Sequence, residues 1–193
     1  EKKFLAKELV EHQTADCPER FVPCKHGCGE DVKSKLMAQH EDEAHDLVTD
    51  LHLAASDGNL ERCKDHVLGR EGIRKFRISC LDDEGNNSIH YAVQGNDLQV
   101  TQYLIDNQAD VNVKGIDGFT PLMTAALQGK REMMEVLIAS KADVNICDTV
   151  YGWNALHHAA FQRQTEAATL LIRENCNLNV IDLRRGDTAL MLA

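Results

Sequence analysis

Residues 117–145 read DGFTPLMTAALQGKREMMEVLIASKADVN and contain, in order, a turn, a short helix, a second turn and another helix. The Asp-Gly pair at 117–118 is a turn signal, and the run that follows is rich in small residues, with paired alanines at 125–126. A polar turn around Gly129 leads into a second segment with adjacent aliphatic residues at 137–138. The stretch therefore predicts a helix–turn–helix unit.

This unit recurs along the chain with a nearly constant period. His90, Met123 and His157 occupy equivalent positions, 33 and 34 residues apart, within SIHYAV, PLMTAA and ALHHAA. The motif ADVN and its variant CNLN recur with the same spacing, at 109–112, 142–145 and 176–179. Two landmarks that share one period indicate a structural repeat. Units of this kind cannot bury a core alone and become stable by stacking on their neighbours.

At residues 117–145 the sequence resembles the ankyrin repeat. The pattern of that family is Asp-Gly-x-Thr-Pro-Leu-His-x-Ala-Ala, followed by a Gly turn, Leu-Leu and Ala-Asp-Val-Asn. The resemblance implies a mostly α fold, an ankyrin-repeat solenoid of helix–turn–helix units with a β-hairpin-like finger at each boundary between units. Small alanines in the inner helices are expected to let neighbouring units approach closely.

The repeat region, residues 49–193, divides into five units. The first differs from the others by about five inserted residues near GREGIRKFR (69–77), and we interpret it as an N-terminal capping unit. The last unit stops inside its first helix, so we expect the natural chain to continue. The predicted bounds are 49–83, 84–116, 117–150, 151–184 and, for the incomplete unit, 185–193.

Several positions depart from the family pattern. Met123 and Met191 replace the family His, which is expected to remove a side-chain hydrogen bond to the preceding turn. Residues with side chains replace the usual Gly at the turn between helices (Asn96, Arg163) and after the second helix (Gln108, Lys141, Asn175). Because residues other than Gly avoid the left-handed backbone region, these positions are expected to weaken individual units.

The composition limits the partner and the compartment. A formal net charge of −10 argues against nucleic acid, because phosphate binding needs clustered Lys and Arg. Three of the seven cysteines crowd into residues 17–28 and the others are scattered, which indicates metal ligands and free thiols rather than a secreted disulfide framework. The sequence has neither a membrane span nor a signal peptide. We therefore expect a reducing, cytoplasmic location, with cytoskeletal or other assembly association as a further option.

The N-terminal segment carries residues typical of a metal site. Cys24, Cys28, His40 and His45 are separated by three, eleven and four residues. Two thiolates on a Gly-bearing turn and two imidazoles can complete a tetrahedral Zn²⁺ shell. A module of this size has too little core to fold unaided, so the metal would be structural. The alternative is that both histidines are ordinary surface residues of a charged helix.

Upstream of this set, His12-x4-Cys17 repeats the spacing of the second ligand pair, and residues 17–24 read CPERFVPC. Together these motifs resemble tandem zinc fingers of the TRAF type, in which His-x4-Cys runs into Cys-Pro-x-Arg-x-Val-x-Cys. The resemblance implies one finger over residues 18–46 and the end of a truncated finger over residues 1–17. His12 and Cys17 would form a partial second site. His45 stands where the family usually has Cys.

The motifs of catalysis that we sought do not occur. The sequence has no Gly-rich phosphate loop and no HExxH, and a zinc ion with four protein ligands has no open position for water. We therefore predict that the chain is not an enzyme but a protein-interaction scaffold or a structural component of a larger, multi-subunit intracellular assembly. The alternative is a ubiquitin-pathway or signalling adaptor whose catalytic RING part lies outside this sequence. Nucleic-acid binding by the fingers is a third, disfavoured option.

The resemblance also implies where a protein partner binds. In the family, the third residue of the turn signal and the exposed side of the inner helix face the concave surface. Phe119 and Trp153 are therefore expected to form one aromatic strip, since large aromatics are enriched at interface hot spots. The alternative is that both rings pack locally on their own hairpins. The candidate residues are Phe119, Thr124, Gln128, Tyr151, Trp153, His158 and Gln162.

Overall fold

The computed structural model describes residues 50–68, 78 and 81–193, together with the backbone of residues 21–23 and 31–33. In the N-terminal part, strand β1 (Phe21–Pro23) pairs antiparallel with strand β2 (Asp31–Lys33). Val22 lies opposite Val32 in this register. The predicted boundaries of the zinc fingers lie outside the described residues. The same is true of all six predicted zinc ligands: His12, Cys17, Cys24, Cys28, His40 and His45.

From residue 50 onwards the chain forms consecutive helix pairs. The first pair is α1, which covers residues 50–56, and α2 (Leu60–Leu68). The later helices are α3 (Ser88–Gly95), α4 (Leu98–Asp106), α5 (Pro121–Leu127), α6 (Arg131–Ala139), α7 (Ala155–Phe161), α8 (Thr165–Arg173) and α9 (Ala189–Leu192). In the part of the chain that the structure describes, none of these helices has the length and apolarity to cross a bilayer.

The helices form two layers. The inner helices α3, α5, α7 and α9 contact one another in sequence order, and so do the outer helices α2, α4, α6 and α8. The predicted close approach of the inner helices is confirmed, because Ala92, Ala125 and Ala159 are fully buried. Between the layers, the first aliphatic residue of each predicted pair is also fully buried: Leu104, Leu137 and Leu171. Stacking of equivalent elements therefore produces one continuous core.

A hairpin-like finger precedes each inner helix. Each finger is closed by one backbone hydrogen bond across its turn: the N–H of Asp82, Gly115, Asp148 and Asp182 donates to the carbonyl of Asn86, Phe119, Trp153 and Asp187, respectively. Asparagines join the fingers of successive units. Asn112 Oδ1 accepts the N–H of Asp143 at 2.8 Å, and Asn145 Oδ1 accepts the N–H of Asn177 at 2.7 Å. The predicted fingers are therefore linked into a ladder.

Three of the inner helices, α3, α5 and α7, begin at side-chain caps. Asn87, Thr120 and Asn154 each accept the backbone N–H three residues later. In α3, His90 Nδ1 also lies 3.2 Å from the backbone N of Asn87. In α5, the sulfur of Met123 occupies this place, 3.4 Å from the backbone N of Thr120. The expectation that Met123 removes a side-chain hydrogen bond to the preceding turn is therefore corrected: a thioether sulfur is a weak acceptor, and it replaces the imidazole.

The turns that lack the usual Gly adopt left-handed backbone conformations. The φ angles are 62° at Asn96, 70° at Gln108, 68° at Lys141, 56° at Arg163 and 57° at Asn175. Each residue takes the conformation that Gly would take at that place. The sequence therefore indicated correctly where the backbone is strained.

Candidate functional site

Two neighbouring grooves lie on the face formed by the fingers and the inner helices. The larger has a volume of about 400 Å³, and we call it the aromatic groove. Aromatic side chains dominate its lining: Phe119, Tyr151, Trp153, His158 and Phe161. The smaller groove, of about 340 Å³, is lined in part by Glu84, Tyr91 and Thr124. Phe119 lines both grooves and therefore separates them.

The finger of the fourth unit delivers Tyr151 and Trp153 to the aromatic groove. Gly152 between them has a φ of 70°, a conformation that residues with side chains rarely adopt. Asn154 then caps α7, and its helical spacing places His158 and Phe161 on the same side of the helix. One finger and one inner helix therefore supply four of the five aromatic side chains.

The rings of the aromatic groove form one packed cluster. The Trp153 ring lies 4.9 Å from Tyr151, 5.3 Å from Phe161 and 5.3 Å from His158, measured between centroids. Phe119 contacts His158 at 4.6 Å, so the imidazole lies between Phe119 and Trp153. Trp153 is 8% exposed, whereas Phe161 is 55% exposed. Trp153 is thus the floor of the groove, and Phe161, Tyr151 and Phe119 are the rings that a partner can reach.

A buried carboxylate holds the imidazole in the cluster. His158 Nε2 lies 3.0 Å from Asp148 Oδ2, and both side chains are buried. Asp148 Oδ1 accepts the backbone N–H groups of Val150, Tyr151 and Gly152. Burial lowers the pKa of His158, and the Asp148 carboxylate partly opposes this effect. His158 is therefore neutral near pH 7 and ties the finger to the inner helix.

The finger that precedes α3 has a similar arrangement, with a tyrosine in place of the histidine. The Tyr91 hydroxyl donates to Asp82 Oδ2 at 2.6 Å, and Asp82 Oδ1 accepts the N–H groups of Glu84 and Asn86. Burial and this bond raise the pKa of Tyr91 to about 12. Neither of these aspartates is among the predicted site residues. The sequence contains a signal that could have identified them, because an Asp precedes the glycine of the finger by three or four residues in three of the fingers.

Two arginines lie at one side of the aromatic groove. Arg184 and Arg185 come from the finger that precedes α9, and both are exposed. The Arg184 guanidinium carbon lies 4.3 Å from the centroid of the Tyr151 ring, which is cation–π geometry. Asp182 Oδ1 accepts the backbone N–H groups of both arginines and of Gly186. These bonds lower the pKa of Asp182 and hold the turn that presents the arginines.

The other predicted partner-binding residues are distributed along the same face. Thr124 is half-buried in the smaller groove, while Gln128 and Gln162 are exposed at the ends of α5 and α7. Phe161, Arg184 and Arg185 were not among the predicted residues. Helical spacing from His158 could have identified Phe161, whereas the position of the arginines depends on how the fifth finger stacks on the fourth.

One polar atom in this cluster has no partner among the described residues. Trp153 Nε1 is buried and has no hydrogen-bond acceptor there. A buried donor without an acceptor costs roughly 1–3 kcal/mol. The floor of the groove therefore retains an unused hydrogen-bond donor.

Comparison with protein families identifies the repeated unit. A family model described as ankyrin repeats (3 copies) matches residues 51–148 and 137–193. These two matches together run through all the helix pairs of the described structure.

Several curated proteins align with the same region. The chain is 39% identical to neurogenic locus notch homolog protein 1 of Homo sapiens over 146 residues, and 37% identical to that of Xenopus laevis over 146 residues; each alignment covers 75% of the chain. It is 32% identical over 127 residues, 65% of the chain, to the palmitoyltransferase AKR1 of Lachancea kluyveri. The chain spans only 5%, 6% and 17% of the length of these three proteins, respectively.

Proposed function

Because the chain belongs to the ankyrin-repeat family, we propose that it is a protein-interaction scaffold that binds its partner on the face formed by the fingers and inner helices. The aromatic groove is the observation that carries this proposal. Its floor is a buried Trp153, and its accessible wall includes Phe161, which is 55% exposed. Aromatic side chains of this kind dominate the energy of protein interfaces. No step of this function requires a catalytic residue.

Two substitutions separate the binding role of the groove from its structural role. Phe161→Ala should weaken binding of the natural partner by about 2 kcal/mol and change the free energy of unfolding little, because the ring is largely exposed. Trp153→Ala should instead lower the free energy of unfolding by about 3–5 kcal/mol, since it leaves a cavity under Tyr151 and Phe161.

The partner is recovered by affinity capture from cell extract, and its dissociation constant is then measured for each variant. Ile172→Ala, on the outer helix α8, is the matched control, because Ile172 is 52% exposed on the opposite layer. The groove is not the binding site if Phe161→Ala and Ile172→Ala weaken binding equally. The same conclusion follows if neither variant weakens binding.

For the N-terminal segment we propose a TRAF-type zinc finger in which Cys24, Cys28, His40 and His45 hold one structural Zn²⁺. The antiparallel pair β1–β2 supports this proposal. Pro23 lies opposite Asp31, and the segment between these residues carries both cysteines. Two thiols and two imidazoles form a donor set that zinc prefers. His12 and Cys17 would be the last ligands of a preceding finger.

Metal analysis of the whole chain tests the zinc proposal. We expect about one zinc ion per chain, lost in Cys24→Ser together with part of the folded signal, because metal binding contributes to folding free energy. Cys147→Ser is the control, since Cys147 is a free, half-buried thiol of the repeat region. Zinc retained at the same level in Cys24→Ser and Cys147→Ser would overturn this ligand set.

The compartment and the wider assembly are also proposals. Cys63, Cys147 and Cys176 are free thiols, and burial raises the pKa of Cys63 and Cys176 to about 11. Free thiols in the repeat region support a reducing, cytoplasmic location, where the scaffold would serve a larger assembly. No feature of the described residues favours the ubiquitin-pathway alternative.

A further inference from the structure

The charge at the end of the aromatic groove differs from that of the chain as a whole. The sequence has 21 Lys and Arg against 31 Asp and Glu, a formal net charge of −10. Arg184 and Arg185 nevertheless stand together, exposed, at the groove. Contact with the Tyr151 ring positions the Arg184 guanidinium over the aromatic wall rather than in free solution. The groove is therefore apolar with a positively charged end.

The carboxylates of Asp182 and Asp148, beside the aromatic groove, already have partners. Asp182 Oδ1 accepts three backbone N–H groups, and Asp148 accepts three others and pairs with His158. Within the described part of the chain, the guanidinium groups of Arg184 and Arg185 form no ion pair. Their donors remain available, and Arg is the side chain best suited to bind a carboxylate in a bidentate manner.

We propose that the aromatic groove binds an acidic, extended segment of the partner protein, an inference that rests on the proposed function. An apolar side chain of the segment packs between Phe119, Tyr151 and Phe161. A neighbouring aspartate or glutamate of the segment pairs with Arg184 or Arg185. Charge complementarity of this kind determines the choice and orientation of a partner.

The rest of the face gives the segment a direction. The smaller groove, on the other side of Phe119, has the exposed carboxylate of Glu84 at its edge. Acidic residues of the partner would be repelled by Glu84 at the smaller groove and attracted by Arg184 and Arg185 in the finger that precedes α9. The segment therefore runs with its acidic residues towards Arg184.

Peptide selection on the whole chain tests this inference. A library of random peptides displayed on phage is selected against the 193-residue chain, and the recovered peptides are synthesised. We expect sequences in which a large apolar residue neighbours Asp or Glu. Trp153 is the single tryptophan of the chain, so its fluorescence reports occupation of the groove. Arg184→Glu should weaken binding of these peptides by about tenfold.

Arg173→Glu is the matched control. It makes the same charge change at an exposed residue of the outer helix α8, so it should leave peptide affinity unchanged. Circular dichroism establishes that each variant is folded. Rising NaCl concentration should weaken binding to the unmodified chain and to Arg173→Glu, but have much less effect on the weakened binding of Arg184→Glu. If Arg184→Glu does not fold, Arg185→Glu and the salt dependence of the unmodified chain carry the test.

The possible failures are distinguishable. If the selected peptides are basic or neutral, or bind Arg184→Glu and Arg185→Glu as well as they bind Arg173→Glu, the acidic segment is wrong. The groove itself still stands in that case if Phe161→Ala weakens the natural partner. If Phe161→Ala affects neither the peptides nor the partner, both this inference and the proposed binding face are wrong.

Discussion

Individual residues of the repeat adopt strained backbone conformations. Lys141, at the end of the outer helix α6, has a φ of 68°, and Gln108, at the equivalent place after α4, has a φ of 70°. Side chains in this left-handed region cost about 1–2 kcal/mol relative to the right-handed one. Both side chains are exposed, so packing does not compensate for the cost.

Replacing one of these residues by glycine should therefore stabilise the repeat. We expect Lys141→Gly to raise the free energy of unfolding by about 0.5–1 kcal/mol, because the relief of strain exceeds the added freedom of the unfolded chain. Ala139→Gly, two residues earlier at the last position of α6, is the matched control and should lower stability by up to about 1 kcal/mol. Urea unfolding measures both. A loss of stability in Lys141→Gly equal to that in Ala139→Gly would show that the strain is not the controlling term.

At the scale of a single element, α7 depends on one capping residue. Asn154 Oδ1 accepts from the backbone N–H of His157 and lies 2.6 Å from its ring Nδ1. The Nδ2 group of Asn154 donates to the carbonyl of Asn177, in the segment that follows α8, at 3.3 Å. This buried side chain therefore begins the helix that carries His158 and Phe161 and also connects it to the segment after the outer helix of the same unit.

Removing that cap should destabilise the repeat by more than an ordinary surface cap does. Asn154→Ala is expected to lower the free energy of unfolding by about 2–3 kcal/mol, from the lost cap and the lost bond to Asn177. Asn154→Thr keeps a capping hydroxyl, as Thr120 does in α5, and should lose about half as much. Chemical denaturation compares the two variants. Equal losses of stability would mean that the hydrogen bond from Asn154 Nδ2 to Asn177 contributes more than the cap.

At the scale of the whole molecule, several buried imidazoles prefer to be uncharged. Burial lowers the pKa of His66, His90, His157 and His158 below the ordinary value for histidine. In the unfolded chain these groups return to a pKa of about 6.5. Below that pH the unfolded chain binds more protons than the folded one, so acid favours unfolding.

The repeat region should therefore be fully stable above the unfolded pKa of about 6.5, and it should lose stability as the pH falls below that value towards the lowered pKa values of the folded histidines. Urea unfolding followed by Trp153 fluorescence reports the repeat region at each pH. His90→Gln should reduce the slope of stability against pH, since it removes one of the four groups. A stability that is constant or rises on acidification would contradict the neutral, buried state of these histidines.

The repeating architecture can be predicted from the amino-acid sequence alone. The spacing of His90, Met123 and His157 predicts one helix pair per period, and the structure places a helix pair in each predicted complete unit. The left-handed turns could also be predicted, because Lys141 and Arg163 occupy places where the pattern has Gly. Local periodicity and turn chemistry are encoded within a unit, so one chain is sufficient to reveal them.

The accessibility of the side chains on the face could not be predicted in the same way. The sequence placed Phe119 and Trp153 side by side, but the structure inserts His158 between them and buries Trp153. The structure also brings Arg184, from the finger that precedes α9, over the ring of Tyr151, from the finger that precedes α7. These relations depend on how neighbouring units stack and in which direction each side chain leaves its finger. Spacing along the chain specifies neither, because the contacts join residues from different units and are selected by packing.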